Sequence, residues 1–214
     1  MCQSSAGNSG RMALTGALVL RQAILDAIRK PMADEDNQSD TPTNRMQSWA
    51  RNSTIYRLGR QMMTEKQLSD AISRKAKQKF EDISQAQVRA LADLAVKFGY
   101  EQGGLNDVAY AEISVRSGVR SGRSKRIMAQ KLAIKGIDRE TAVIALEGSD
   151  DLVAAINFAR KRAFGPFRRG EADEKRYNKE MSAFARNGFG FELGRSVLGM
   201  SREEAETLLD ERRL

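Results

Sequence analysis

The chain has 214 residues, 41% of them apolar, with a formal net charge of +8 and a pI near 9.8. It has no histidine and a single cysteine, Cys2. That excludes an internal disulfide and removes the commonest general base, the usual zinc ligand and every Ser-His or Cys-His nucleophile pair. What is left is one domain or a string of small units, in a reducing compartment, with an anionic partner: nucleic acid first, membrane surface second.

Leu14, Leu18, Leu25 and Ile28 share one helical face over 11–30, ahead of Pro31. The apolar run MALTGALVL within it stops at Arg21, short of the roughly 20 residues a membrane helix needs and with no cleavage site behind it, so a cytoplasmic protein is expected. PMADEDNQSDTPTNRMQS follows and reads as a polar linker, with Met32-Ala33-Asp34 as an alternative start. The first fifty residues balance five bases against five acids, so the positive excess lies downstream.

From Trp49 onward the pattern is helix after helix, with hardly a β-branched run or alternating segment, so an all-α fold is expected. Thr64 with Gln67 and Ser84 with Gln87 have capping-box form, and Ser201 with Glu204 opens the C-terminal helix in the same way. Leu68 with Ile72, then Val88, Leu91 and Ala95, are apolar stripes at helical spacing. Over 149–165, Ser149 or Asp150 can cap, and Leu152, Ile156, Ala159 and Ala163 form one buried stripe before Gly165-Pro166 stops the helix. AVKFGY, LAIKGI and FARNGF, around Gly99, Gly136 and Gly188, read as three similar helix endings, a loose sign of internal repetition.

The residues that could carry function are cationic. VRSGVRSGRSKRIMAQKLAIKGI, 115–137, holds Arg116, Arg120, Arg123, Lys125, Arg126, Lys131 and Lys135 with no acid between Glu112 and Asp138. A helix that only needed a wet face would mix its signs. Arg116 and Arg120 share a helical face, and arginine forks suit phosphate or carboxylate. A second acid-free window, 154–170, holds Arg160, Lys161, Arg162, Arg168 and Arg169, the first three of which also complement a helix C-terminus. Tyr110 and Phe164 read as core, as do Met128 and Leu132, whereas Phe167 beside Arg168-Arg169 reads as an exposed aromatic able to stack a base. No metal or cofactor is expected, and SGVRSG and NGFGF do not fit a nucleotide-binding loop.

In their order these pieces resemble the RecX family of recombination regulators. YRLGRQMMTEKQLSDAI at 56–72 is similar to the first repeat of that family. GYEQGGLNDVAYAEISVRS at 99–117 and SGRSKRIMAQKLAIKGI at 121–137 are similar to its middle stretches, and ALEGSDDLVAAINFARKR with AFARNGFGFELGRSVL to its third repeat. The likeness covers roughly 49–214. The chain departs from the pattern where 101–104 interrupt a glycine-aromatic-leucine run, where Asn106 replaces an acid, and over 1–48.

The resemblance implies an elongated, curved array of three tandem three-helix repeats, here 49–105, 106–148 and 149–214 behind an extension at 1–48. It implies a cytoplasmic, monomeric, non-enzymatic regulator of DNA repair, recombination and the SOS response. Such a protein binds the RecA recombinase and its filament on single-stranded DNA, and modulates, usually inhibits, its ATP hydrolysis. Two other readings stay open. One is a stand-alone helix-turn-helix protein inserting 124–135 into a major groove, though only Gln130 there could read a base. The other is a carboxylate-dependent enzyme, for which no paired acids stand out.

Overall fold

Side-chain caps set where the helices begin. The computed structural model describes residues 40–171 and 173–212, and every regular element among them is helical. The helix expected over 11–30 and the alternative start at Met32 lie outside the described residues. α1 (Asn44–Leu58) opens from Thr43, which accepts from the Met46 N–H, so helix begins inside the stretch whose composition suggested a linker. α2 (Glu65–Lys79) and α3 (Gln85–Glu101) open on the reciprocal capping boxes of Thr64 and Ser84. α4 (Asp107–Arg120), α5 (Lys125–Ile134) and α6 (Arg139–Glu147) start from Asn106, Ser124 and Asp138. α7 (Asp151–Arg162) starts from Asp150, and α8 (Glu174–Arg186) from Asp173. α9 (Phe191–Gly199) follows, and α10 (Arg202–Glu211) starts from Ser201. Each such cap satisfies an N–H the helix leaves open, worth about 1 kcal/mol.

The apolar stripes close three separate cores. Ala50, Leu68, Ile72, Leu91 and Ala95 join α1, α2 and α3, with Trp49 set edge-on to Phe80 at 5.3 Å. Ala111, Val115, Met128, Leu132 and Ile137 join α4, α5 and α6. Ile156, Phe158, Phe184, Phe189 and Val197 join α7, α8 and α9, with α10 adding Ala205 and Leu209. No core is large enough to stand alone easily, so the units stack, as repeat proteins do.

The stacking uses one joint twice. Thr64 caps α2 and also donates its hydroxyl to the Lys135 carbonyl (2.6 Å), while the Glu65 N–H is taken by the Asp107 carboxylate (3.1 Å). Sixty residues on, Ser124 caps α5 and donates to the Asn187 carbonyl (2.7 Å), while the Lys125 N–H is taken by Asp151 (2.7 Å). In both, the start of the second helix of one unit meets the end of the second helix and the start of the first helix of the next unit. The acceptor carbonyls precede Gly136 and Gly188, whose φ values are +87° and +80°. A Cβ there would lie 2.4 Å from Lys66 Cβ or 2.5 Å from Ser124 Oγ, so the joint needs glycine twice over. In the first unit the connection after α2 has its left-handed residue at Asp82 (φ 55°), which is exposed. At the other end, the second helix of the third unit is capped by Asp173, a carboxylate with no hydroxyl to donate onward.

Two expectations need correcting. Gly99 does not end a helix: it is buried inside α3, where a Cβ would press on Leu105 at 2.9 Å. The turn comes at Gly103 (φ 65°), and both Gly104 and Leu105 donate to the Gly99 carbonyl. The interrupting residues 101–104 are therefore the turn that delivers Leu105 into the first core. Likewise α7 does not bury a single stripe. Val153, Ala154, Ala155, Ile156, Phe158 and Ala159 are all buried, because α7 packs on α4 as well as on its own unit. It ends at Arg162 on a left-handed Ala163, ahead of the 3₁₀ turn Gly165–Phe167.

Candidate functional site

The acid-free window covers the last turn of α4, the α4–α5 turn and all of α5, and helical geometry splits it in two. Lys131 and Lys135, one turn apart, face a groove between α4 and α5, and Arg123 from the turn completes its rim. The groove encloses about 340 Å³ over a floor of Val115, Met128 and Leu132. Arg116 and Arg120 are exposed one turn apart on α4, next to the half-exposed Ile113. Lys125 and Arg126 point elsewhere. Lys125 is half-buried beside Asp151, and Arg126 Nε lies 3.2 Å from where a Gly188 Cβ would stand, so both belong to the joint with the third unit. Arg126 and Lys131 are about 140° apart around the helix, which a helical wheel would have shown. Lys135, at the end of the same window, joins the rim.

The second window is also divided. Arg160, Lys161 and Arg162 are exposed in the last turn of α7, where they complement the helix dipole, and Arg162 sits 5.9 Å over the Phe158 ring. Arg169 is exposed. Arg168 is committed inward. Its Nε donates to both oxygens of Glu180 (2.9 and 3.0 Å) and its Nη2 to Oε2 (2.8 Å), with side-chain exposures of 17% and 2%. The Gly165 N–H (3.0 Å) and Arg176 Nε (3.3 Å) complete the carboxylate's shell. Burial opposes ionisation of Glu180 most strongly, yet the Arg168 bonds, the Gly165 N–H, the Arg168 charge and the Arg176 bond together hold its carboxyl below the usual range. This clasp fixes the Gly165–Phe167 turn. Phe167 is accordingly half-buried against the third core, not the exposed aromatic expected of it. The exposed ring in this unit is Phe191, at the start of α9.

Around the first joint the charge is opposite. Burial raises the Asp107 carboxyl above its usual range, the Glu65 N–H opposing and the Glu65 and Asp138 charges adding. Tyr100 donates to Glu65 (3.0 Å), and burial, that bond and the nearby carboxylates push its phenol up to about 12. The cationic face thus belongs to the middle unit beyond its first joint. No group of three or more potential metal ligands occurs among the described residues, and no helix among them is long and apolar enough to cross a membrane.

Stacked helical units with a cationic groove on the middle unit place the chain among all-α tandem-repeat proteins. The comparisons narrow this class. The family model for the second three-helix domain of RecX matches residues 106–146, the unit that carries the groove. Regulatory protein RecX of Agrobacterium fabrum (strain C58 / ATCC 33970) is 64% identical over 178 residues, covering 83% of this chain and 97% of that protein. Regulatory protein RecX of Myxococcus xanthus (strain DK1622) is 32% identical over 160 residues, covering 71% and 84%. The crystal structure of RecX from Lactobacillus salivarius superposes with a TM-score of 0.56 at 19% identity, over 79% of this chain and 99% of that one. A second RecX crystal structure gives 0.54 at 22% identity, over 71% of each chain. At such identities the structures speak for the fold. The chain belongs to the RecX family of regulatory proteins.

Proposed function

We propose that this chain regulates the RecA recombinase by binding its filament on single-stranded DNA and suppressing ATP hydrolysis and strand exchange in DNA repair. The observation that carries this is the 64% identity to a protein named regulatory protein RecX along nearly its whole length. The cationic face of the middle unit supplies the means: Arg116, Arg120, Arg123 and Lys131 offer donors to a polyanionic filament, with the cations of α7 adding to them. The helix-turn-helix reading is weaker on physical grounds. Recognition helices read bases with their N-terminal residues. The N-terminus of α5 is occupied, Ser124 by the Asn187 carbonyl and the Lys125 N–H by Asp151.

The test is RecA ATP hydrolysis on single-stranded DNA with the protein titrated in below one copy per RecA. Strong suppression is the expected outcome. Changing Arg116, Arg120 and Arg123 to glutamate should abolish it and leave the helical circular-dichroism signal intact, since all three are exposed. No suppression, together with tight binding to bare duplex, would overturn the reading.

A further inference from the structure

We propose that the groove between α4 and α5 seats a nucleotide of single-stranded nucleic acid, with its base against the apolar lining and its phosphates on the cationic rim. This rests on the regulatory reading above and deepens it, since it makes the protein touch the strand itself. At about 340 Å³ the groove lies near the small end of ligand sites, room for a base and sugar but not for the ridge of a docking helix.

The lining fits that shape chemically. Val115, Met128 and Leu132 are buried and only close the bottom of the groove, while the half-exposed Ile113 and the ring of Tyr110 offer the apolar surface for the flat face of a base. The Ser114 and Ser117 hydroxyls also line the groove and can meet the polar edge of a base as donor or acceptor, which makes the site tolerant of sequence. Arg123, Lys131 and Lys135 stand at its mouth, and no acid lines it. Lys131 and Lys135 are about 6 Å apart along α5, and Arg116 and Arg120 repeat that spacing on α4, so cations flank the groove on both helices. An extended peptide fits less well. It would bring backbone N–H and C=O groups between two helices whose own backbone groups are paired internally, with few partners to offer.

The test uses an oligodeoxythymidylate carrying one photoreactive 5-iododeoxyuridine, mixed with the full chain in the absence of RecA, irradiated, and mapped by mass spectrometry. The cross-link should fall in the peptides holding Tyr110 or Met128. By fluorescence anisotropy, Lys131→Glu with Lys135→Glu should weaken binding about tenfold and steeply reduce its salt dependence. Tyr110→Leu, which keeps apolar volume, should weaken it about fivefold. Lys175→Glu with Lys179→Glu, an equal change of charge on exposed positions of α8, should change it by about twofold at most.

Cross-links confined to other units, or equal losses from the α8 pair, would overturn the proposal. So would a groove pair that keeps bare-strand binding and loses only suppression of RecA, which would make an acidic protein segment the occupant. Cross-linking in the groove by a chain with no effect on RecA hydrolysis would uphold this site and remove the regulatory reading, so the two fail separately.

Discussion

Replacing Arg168 by alanine separates a structural arginine from a binding one. Glu180 is 1% exposed, and four of its hydrogen bonds come from Arg168 and the Gly165 N–H. Without Arg168 the buried carboxylate keeps one N–H and the more exposed Arg176 at 3.3 Å. Removing one member of a buried pair costs about 3–5 kcal/mol, and the partial exposure of Arg168 places this case near about 3 kcal/mol. That corresponds to a fall of about 1.5 M in the urea midpoint.

The sign with pH follows from the depressed carboxyl. Its contribution is present above the ordinary value of 4.5 and is lost as pH falls through the lower folded value. In the variant, burial is no longer outweighed, the carboxyl rises above its ordinary range, and acid relieves the penalty by protonating it. The gap between the two proteins should therefore be widest near about pH 7.5 and shrink to about 1 kcal/mol or less near about pH 4. Urea unfolding followed by far-UV circular dichroism at both pH values measures this. An equal gap at both, or loss of RecA binding with an unchanged midpoint, would refute the reasoning and return Arg168 to the binding surface.

Other perturbations test the joints. Gly103→Ala meets only backbone strain, since a Cβ there has nothing within 4 Å, and should cost about 1 kcal/mol. Gly122→Ala, at a similar φ of 71°, would put its Cβ 2.6 Å from the Phe158 backbone nitrogen and should cost about 3 kcal/mol or more, read by thermal unfolding. Equal costs would deny the close approach of the α4–α5 turn to α7. Ser124→Ala loses both a cap and the bond to Asn187 and should cost about 2 kcal/mol, twice the effect of Thr43→Ala, which loses a cap alone. Denaturant titration of the two variants decides whether the joint bond adds to stability.

Much of the local structure was legible in the sequence because it is encoded locally. Thr64 and Gln67, or Ser84 and Gln87, sit within one turn of each other, and stripes such as Leu68-Ile72 declare their buried face by spacing alone. The joints were not legible. The carbonyl that Thr64 reaches is 71 residues away, and nothing in the residues around Thr64 distinguishes a cap that bonds outward from one that does not. The repeat of turns was misread for the same reason. Gly99 matched a pattern of letters, whereas the connection after α2 carries its left-handed residue at Asp82. Counting cations along the chain identified the basic window but not its division, which depends on what each side of α5 faces. Arg168 was counted as a surface charge because its partner lies twelve residues on, on another helix.

The joints also run in one direction along the chain, and this bears on how the protein emerges during synthesis. In each, the hydroxyl donor is made first and its acceptor carbonyl 71 or 63 residues later. At ordinary elongation rates the wait is about 3 to 14 seconds. During that time α2, and then α5, has its own cap and its own unit but lacks the carbonyl of the next one. The first unit thus leaves the ribosome undocked, and the Thr64 hydroxyl meets its carbonyl only when the Gly136 turn follows it out. A ribosome stalled shortly before that turn would hold the first unit with its docking hydroxyl still without its carbonyl.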